Sequence, residues 1–304
     1  MCVRSFCRFA VPVFFCISGF FLTKPGQFEA KKMVSKARHI GGILIYSSIF
    51  YALFSLVWYP LFYKNWDIAT FCAQTFCADK IVQYFIVNAP FLYAHLWFLL
   101  GLLSCYLFCM FFYTNKNYKL LTYIIFPISI VGYYSMQEFN YFQSYVELVG
   151  LNKPLMLYNL FFFRALPFFL LGTILRNYQE TLIQIKIPNS ILLTLSVAGC
   201  CLAVGERFAL RESQFYIGSA ITCLSMMCLA IRNPQSGSPI LVHIGRDLSL
   251  YIYILHIAVG KIGDLMGKEF HWWGHLPYYI IRPFAILLIT ILLSEALYRC
   301  CKHA

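Results

Sequence analysis

Three side chains stand out because their chemistry is foreign to the apolar runs that carry them. Arg164 sits in Phe161-Phe162-Phe163-Arg164-Ala165-Leu166-Pro167. A guanidinium cannot shed its proton, and placing one inside a bilayer costs about 2.5–3.5 kcal/mol even on insertion scales. It needs an anion, a set of carbonyls or water around it. Its chemical use would be to stabilise a developing oxyanion; its structural use would be to tie two helices through their carbonyls. His256, in Tyr251-Ile252-Tyr253-Ile254-Leu255-His256, and His95, in His95-Leu96-Trp97-Phe98-Leu99, carry imidazoles that titrate near neutrality and can accept a hydroxyl proton. A lone histidine in a helical bundle serves equally as an interhelical hydrogen-bond donor, and Trp97 as an interfacial aromatic. Arg4 and Arg8 flank the first apolar run, where they can anchor it by snorkelling or hold an anion. Lys36 and Arg38 belong to the densest basic stretch in the chain.

Other chemistries lack their residues. Nothing matches a dinucleotide or phosphate-binding glycine loop, a GxSxG elbow or HExxH. His271 and His275 are spaced by four, yet no acid or cysteine completes a ligand set, so no metal is expected. Glu295 is the one acid placed within an apolar run, close to its end, which disfavours a proton-coupled relay. Arg282 and Glu295 both stand near enough to run ends to snorkel.

The elements that must position these groups follow from composition. Of 304 residues, 61% are hydrophobic and 12% are charged, against about 25% charged in soluble domains. The mean hydropathy is +0.70. One soluble core cannot bury that much apolar surface, so the sequence predicts an all-α, polytopic membrane bundle in one domain over residues 1–304. Nine apolar runs are candidate spans: 9–23, 40–62, 91–113, 119–136, 155–175, 188–205, 215–231, 247–262 and 277–298. On that reading Arg164 lies about nine residues, roughly 13 Å, inside its span. Cys105, Cys109, Cys200, Cys201, Cys223 and Cys228 fall within runs and act as small hydrophobes. Cys72 and Cys77 are the pair between runs, and their spacing proves no disulfide. Ser18-Gly19 and Gly172 break bulky stretches and point to close helix packing.

The net charge of +12 would suggest nucleic acid in a soluble protein; here the cations lie between spans and report orientation. A loop over 24–39 with Lys24, Lys31, Lys32, Lys36 and Arg38 against Glu29 is predicted to be cytoplasmic. Alternation from it puts the C-terminus inside and the N-terminus outside. An outside N-terminus with no exporting segment predicts one further helix ahead of Met1.

The polar landmarks also resemble a family. Arg8-Phe9-Ala10-Val11-Pro12-Val13-Phe14-Phe15-Cys16-Ile17-Ser18-Gly19-Phe20 is similar to the "R-x-x-V-P-x-F-F-x-x-S-G-F" stretch of the acyltransferase-3 family of integral-membrane acyltransferases. Lys36 and Arg38 loosely resemble its basic cytoplasmic motif, and His95-Leu96-Trp97-Phe98-Leu99 its "H-L-W-F-L". Pro167-Phe168-Phe169-Leu170-Leu171-Gly172 resembles "P-F-F-x-x-G", and Ser249-Leu250-Tyr251-Ile252-Tyr253-Ile254-Leu255-His256 resembles "S-x-Y-I-Y-L-x-H". The matches run in family order over residues 8–256. The resemblance implies ten helices, acetyl-coenzyme A or another acyl-coenzyme A as donor, and a surface or exported carbohydrate as acceptor, in a bacterial cytoplasmic membrane. It implies electrostatic work for Arg164, polar substrate contacts for His95 and His256, and donor phosphates near Lys36, Arg38 and Arg8. The family's arginine and histidine of the first helix have no counterpart ahead of the Val11-Pro12 stretch, which matches the further helix that the charges predict. A non-enzymatic transporter, a structural subunit of an envelope-glycan assembly and an inactive truncated member are the rival expectations; oligomeric state is left open.

Overall fold

The computed structural model describes residues 6–24, 27–63, 66–139, 145–146, 155–156, 159–210 and 216–303, so Arg4 lies outside the described residues. The protein is an all-α membrane bundle. Helices Ala30–Phe62, Ala94–Phe112, Asn189–Ala209, Pro239–Glu269 and Leu276–Lys302 are long and apolar enough to cross a bilayer. The shorter apolar helices Cys7–Phe20, Leu166–Asn177 and Ile217–Arg232 fall on three further predicted spans, and Tyr118–Phe139 falls on another. A two-residue antiparallel ladder, β1 (Tyr145–Val146) with β2 (Leu155–Met156), accompanies the helices.

The chain divides into two compact units, one of Met1–Leu44 with Cys77–Pro234, the other of Ile45–Phe76 with Gln235–Ala304. The first holds α1 (Ala10–Phe20) and the start of α2 (Ala30–Phe62), then α4 (Ala78–Val87), α5 (Trp97–Phe112) and α6 (Tyr118–Phe139). It continues through α7 (Phe161–Arg164), α8 (Leu166–Asn177), α9 (Gln179–Gln184), α10 (Asn189–Leu210) and α11 (Ile217–Arg232). The second holds the rest of α2, α3 (Ile68–Thr75), α12 (Pro239–His243), a π-helical turn (Ile244–Leu248), α13 (Ser249–Glu269) and α14 (Leu276–His303).

In the first unit the core gathers Phe15, Phe168, Phe169, Tyr106, Cys105 and Cys109. Cys16, Cys105, Cys109, Cys200 and Cys223 are buried free thiols, as small apolar side chains should be, whereas Cys201 is exposed. Cys72 and Cys77 are also free thiols. Close packing rests on glycine: a Cβ on Gly19 would lie 1.9 Å from the Phe169 carbonyl oxygen, and one on Gly172 would lie 1.9 Å from that of Cys16. Gly19 and Gly172 thus each admit the other's helix across the α1–α8 contact, whereas the Ser18 hydroxyl donates within its own helix to Phe14 O at 2.8 Å. α10 and α11 approach by the same device, with a Gly218 Cβ only 2.2 Å from Gly199 O.

The α10–α11 hairpin is fixed by Glu206 at the end where the chain passes from α10 to α11. Its two carboxylate oxygens accept from the backbone N–H groups of Ile217 and Gly218, each at 3.1 Å. These are orphan donors of the first turn of α11, and a carboxylate there also meets the positive end of the helix dipole. Glu206→Gln, which keeps one acceptor and loses the charge, is expected to lower stability by about 1 kcal/mol. Thermal unfolding in detergent reads this; an unchanged midpoint would remove the cap from the account.

In the second unit, Tyr51 donates to the Ile254 carbonyl, and Trp58 Nε1 donates to that of Lys261 at 3.1 Å, binding α2 to α13. On α14, Ile280, Phe284, Leu288 and Leu292 form an exposed stripe at intervals of four. That is the face of a helix whose solvent is hydrocarbon.

Two sequence expectations need correction. The segment 24–39 is not all loop: α2 begins at Ala30, so Lys31, Lys32, Lys36 and Arg38 ride on its first turns. Alanine, lysine and methionine propagate a helix well even where they end a hydropathy run. The span 155–175 is not one helix either: it starts in β2 and then breaks between α7 and α8 at Ala165 (φ −108°, ψ −47°).

Candidate functional site

Pro167 explains that break. It lacks an N–H for the carbonyl of Phe163, and its ring crowds that carbonyl. The chain therefore closes one turn, with Arg164 N donating to Leu160 O (3.1 Å) and Ala165 N to Phe161 O (2.9 Å). It restarts with Pro167 in the first turn of α8, where a missing N–H does no harm. Arg164 is the last residue of the single turn α7. It is not nine residues into a continuous span, and the predicted depth of roughly 13 Å no longer follows.

The break sets the guanidinium against α5. Arg164 Cζ stands 3.6 Å above the centre of the Trp97 ring, and Nη1 donates to Asn159 Oδ1 at 2.8 Å. An indole face is the strongest aromatic partner for a cation, worth about 0.5–2 kcal/mol. Trp97 itself packs on Phe15 of α1 (5.7 Å between centroids), and Phe15 on Phe98 (4.7 Å). His95 lies two residues before Trp97, in the 3-10 turn Ala94–Leu96 that opens α5. Its ring edges Tyr93 at 6.2 Å, and its Nε2 is buried. Trp97, Asn159 and Arg164 thus meet at the start of α5, and His95 lies two residues before Trp97 in the chain. Arg8 precedes α1 in the turn Cys7–Phe9, with its guanidinium 5.8 Å from the Tyr216 ring centre.

The other predicted cations are elsewhere. Phe28 N donates to Asn115 Oδ1 at 2.9 Å, and the Phe28 ring packs on Tyr113 and Tyr118. This holds the entry to α2 at the C-terminal end of α5, about 24 Å from Trp97 along its 16 residues. Lys36 and Arg38 are exposed on the turns that follow. Lys24 Nζ lies 2.7 Å from Glu29, and this cation holds the Glu29 carboxyl below its ordinary range. Phe28 thus marks the end of α5 opposite Trp97, Lys36 and Arg38 follow it on α2, and at Gly41, whose Cβ would lie 4.0 Å from Leu103 Cδ1, α2 has reached the middle of α5.

His256 belongs to the second unit, midway along α13. Its Nδ1 faces the carbonyls of Tyr253 (2.8 Å) and Ile252 (3.2 Å). Carbonyls only accept, so Nδ1 carries the proton and Nε2 is the basic nitrogen.

Sequence reasoning missed several polar groups. Nothing in the sequence marks Asn159 and Trp97 as the partners of Arg164. Arg282 and Glu295 do not simply snorkel. Arg282 Nη2 meets Asp264 Oδ1 at 2.5 Å, while Glu295 accepts from Arg299 Nε at 2.6 Å and lies 2.8 Å from His243 Nε2. The i,i+4 pair His243–Asp247 was visible in the sequence; its third partner, 52 residues on, was not.

The sequence pattern of a family described as an acyltransferase domain (Acyl_transf_3) matches residues 1–299. No curated protein and no solved structure matches the chain.

Proposed function

From a chain that belongs to the acyltransferase-3 family and is built as a multi-pass membrane bundle, we propose an O-acyltransferase that moves an acyl group, acetyl above all, from acyl-coenzyme A to a hydroxyl of a cell-surface or exported carbohydrate. The observation that carries the reading on this chain's own residues is the Arg164 guanidinium, fixed on the Trp97 face and by Asn159 within two residues of a histidine. In the transfer the acceptor hydroxyl adds to the thioester carbonyl. Its proton passes to an imidazole nitrogen, for which His95 is the candidate. The oxygen of the tetrahedral intermediate gains negative charge, and a preorganised guanidinium stabilises that charge without having to reorganise. The C–S bond then breaks, the ester C–O bond remains, and coenzyme A leaves as its thiol. Lys36 and Arg38, exposed on the first turns of α2, would attract the donor's phosphates on the cytoplasmic side. Arg8 would add positive potential to the first unit, and His256 a polar substrate contact. The setting proposed is a bacterial cytoplasmic membrane with the C-terminus inside.

The test is thiol release from acetyl-coenzyme A by the protein in proteoliposomes, with and without carbohydrate. Release that depends on acceptor is expected. Movement of a solute across the vesicle with no thiol released would favour the transporter reading instead.

A further inference from the structure

The second unit carries a charged concavity that the reading above does not use. A cavity of about 460 Å³ lies between the π-helical turn and the C-terminal part of α14. His243, Arg246, Asp247, Glu295, Arg299 and Lys302 line it. The two acids act as an internal scaffold. Asp247 accepts Nε and Nη2 of Arg246, both at 2.9 Å, and lies 2.8 Å from His243 Nδ1. Glu295 holds His243 from the other side and takes Nε of Arg299. Each guanidinium is oriented through one edge, which leaves Nη1 of Arg246 and both Nη groups of Arg299 to other acceptors. Those two side chains remain 72% and 73% exposed. Lys302 adds an ammonium that stands 5.9 Å from the Tyr298 ring centre. Three permanent cations thus surround two carboxylates, and the surplus charge is positive.

Snorkelling cations at a helix end would spread towards the surrounding headgroups. These converge on one concavity. The π turn makes the convergence possible, because it widens the helix where Arg246 and Asp247 sit. Such turns are rare and recur at functional sites. Planar guanidinium edges with an ammonium beside them match the oxygens of phosphate.

We propose that this cavity is a phosphate-binding site for a phosphate ester, either a soluble polyphosphate compound or a lipid headgroup. The site consists of residues other than Lys36, Arg38, His95 and Arg164, so it stands whether or not acyl transfer is the reaction.

The experiment uses the full chain in neutral detergent with two probes. Inorganic pyrophosphate, titrated by calorimetry at low salt, represents the soluble source. Retention of phosphatidylglycerol over phosphatidylcholine, read by native mass spectrometry, represents the headgroup. Wild type is expected to bind one of them, and Arg299→Gln with Lys302→Gln to weaken that binding about tenfold or more. Arg299→Lys with Lys302→Arg, which keeps the charge but moves the planar fork, should lose clearly less than the neutral pair. Should the neutral double variant unfold, Lys302→Gln alone serves, because its ammonium contacts only a ring. A loss confined to pyrophosphate assigns the soluble source, and one confined to the lipid assigns the headgroup. Binding of neither probe by wild type, or equal binding by the neutral and charge-preserving variants, overturns the proposal.

Discussion

Replacing Arg164 with leucine is expected to lower acyl transfer by about 100-fold or more while the protein still folds. Loss of one preorganised donor at a developing oxyanion costs about 10²–10³ in rate. The fold should tolerate the change, since leucine suits an environment of Trp97 and neighbouring phenylalanines. The loss should fall on kcat and leave KM nearly unchanged, because the stabilised charge exists only in the transition state. Arg164→Lys should recover part of the rate: an ammonium can sit over the Trp97 ring, yet it lacks the planar fork that Asn159 orients. If Arg164 merely ties α7 to α5, Arg164→Leu will lower the thermal midpoint and leave kcat alone. Unchanged acylation at normal expression would remove Arg164 from the mechanism.

The second large effect is structural. Gly172→Ala is expected to destabilise the protein by about 3 kcal/mol or more, beyond the usual range for overpacking. The new Cβ would meet the Cys16 carbonyl oxygen at 1.9 Å and the Phe20 nitrogen at 2.7 Å. These are backbone atoms of a helix and cannot swing aside. Gly19→Ala should behave alike, because its Cβ would meet the Phe169 carbonyl oxygen and carbon at 1.9 and 2.8 Å. The double variant should cost less than the two single losses added together, since one alanine already forces α1 and α8 apart. Thermal unfolding of the four proteins in one detergent decides this; additive losses would mean that the glycines do not share a contact.

How far the sequence reveals these features varies by residue. The spans are legible because twenty apolar residues have one physical meaning in a chain this poor in charge. Gly19 and Gly172 could be read as packing positions one at a time; that each faces the other's helix could not, because 153 residues separate them. The start of α2 at Ala30 is hidden because hydropathy marks where lipid begins, and a helix continues beyond it. β2 is hidden inside an apolar run, where periodicity cannot tell strand from helix. The break at Ala165 was written in Pro167, a proline two residues on. At the candidate site, sequence picks out His95 and Arg164 because both are costly residues in apolar surroundings. It does not pick out Asn159, an ordinary polar residue near a turn, or Trp97, which looks like any interfacial aromatic. The same holds for Glu295, whose neighbours are settled only when α14 packs beside the π turn.

Every step proposed for these residues ends in ester formation on a carbohydrate. The most direct test is to supply acetyl-coenzyme A with labelled acetyl to the purified protein in proteoliposomes with a carbohydrate acceptor, and to follow the label. Label is expected on the carbohydrate, released by mild alkali as acetate, in wild type and not in Arg164→Leu. A folded wild-type protein that leaves all label on coenzyme A, or yields only free acetate whether or not carbohydrate is present, would contradict it.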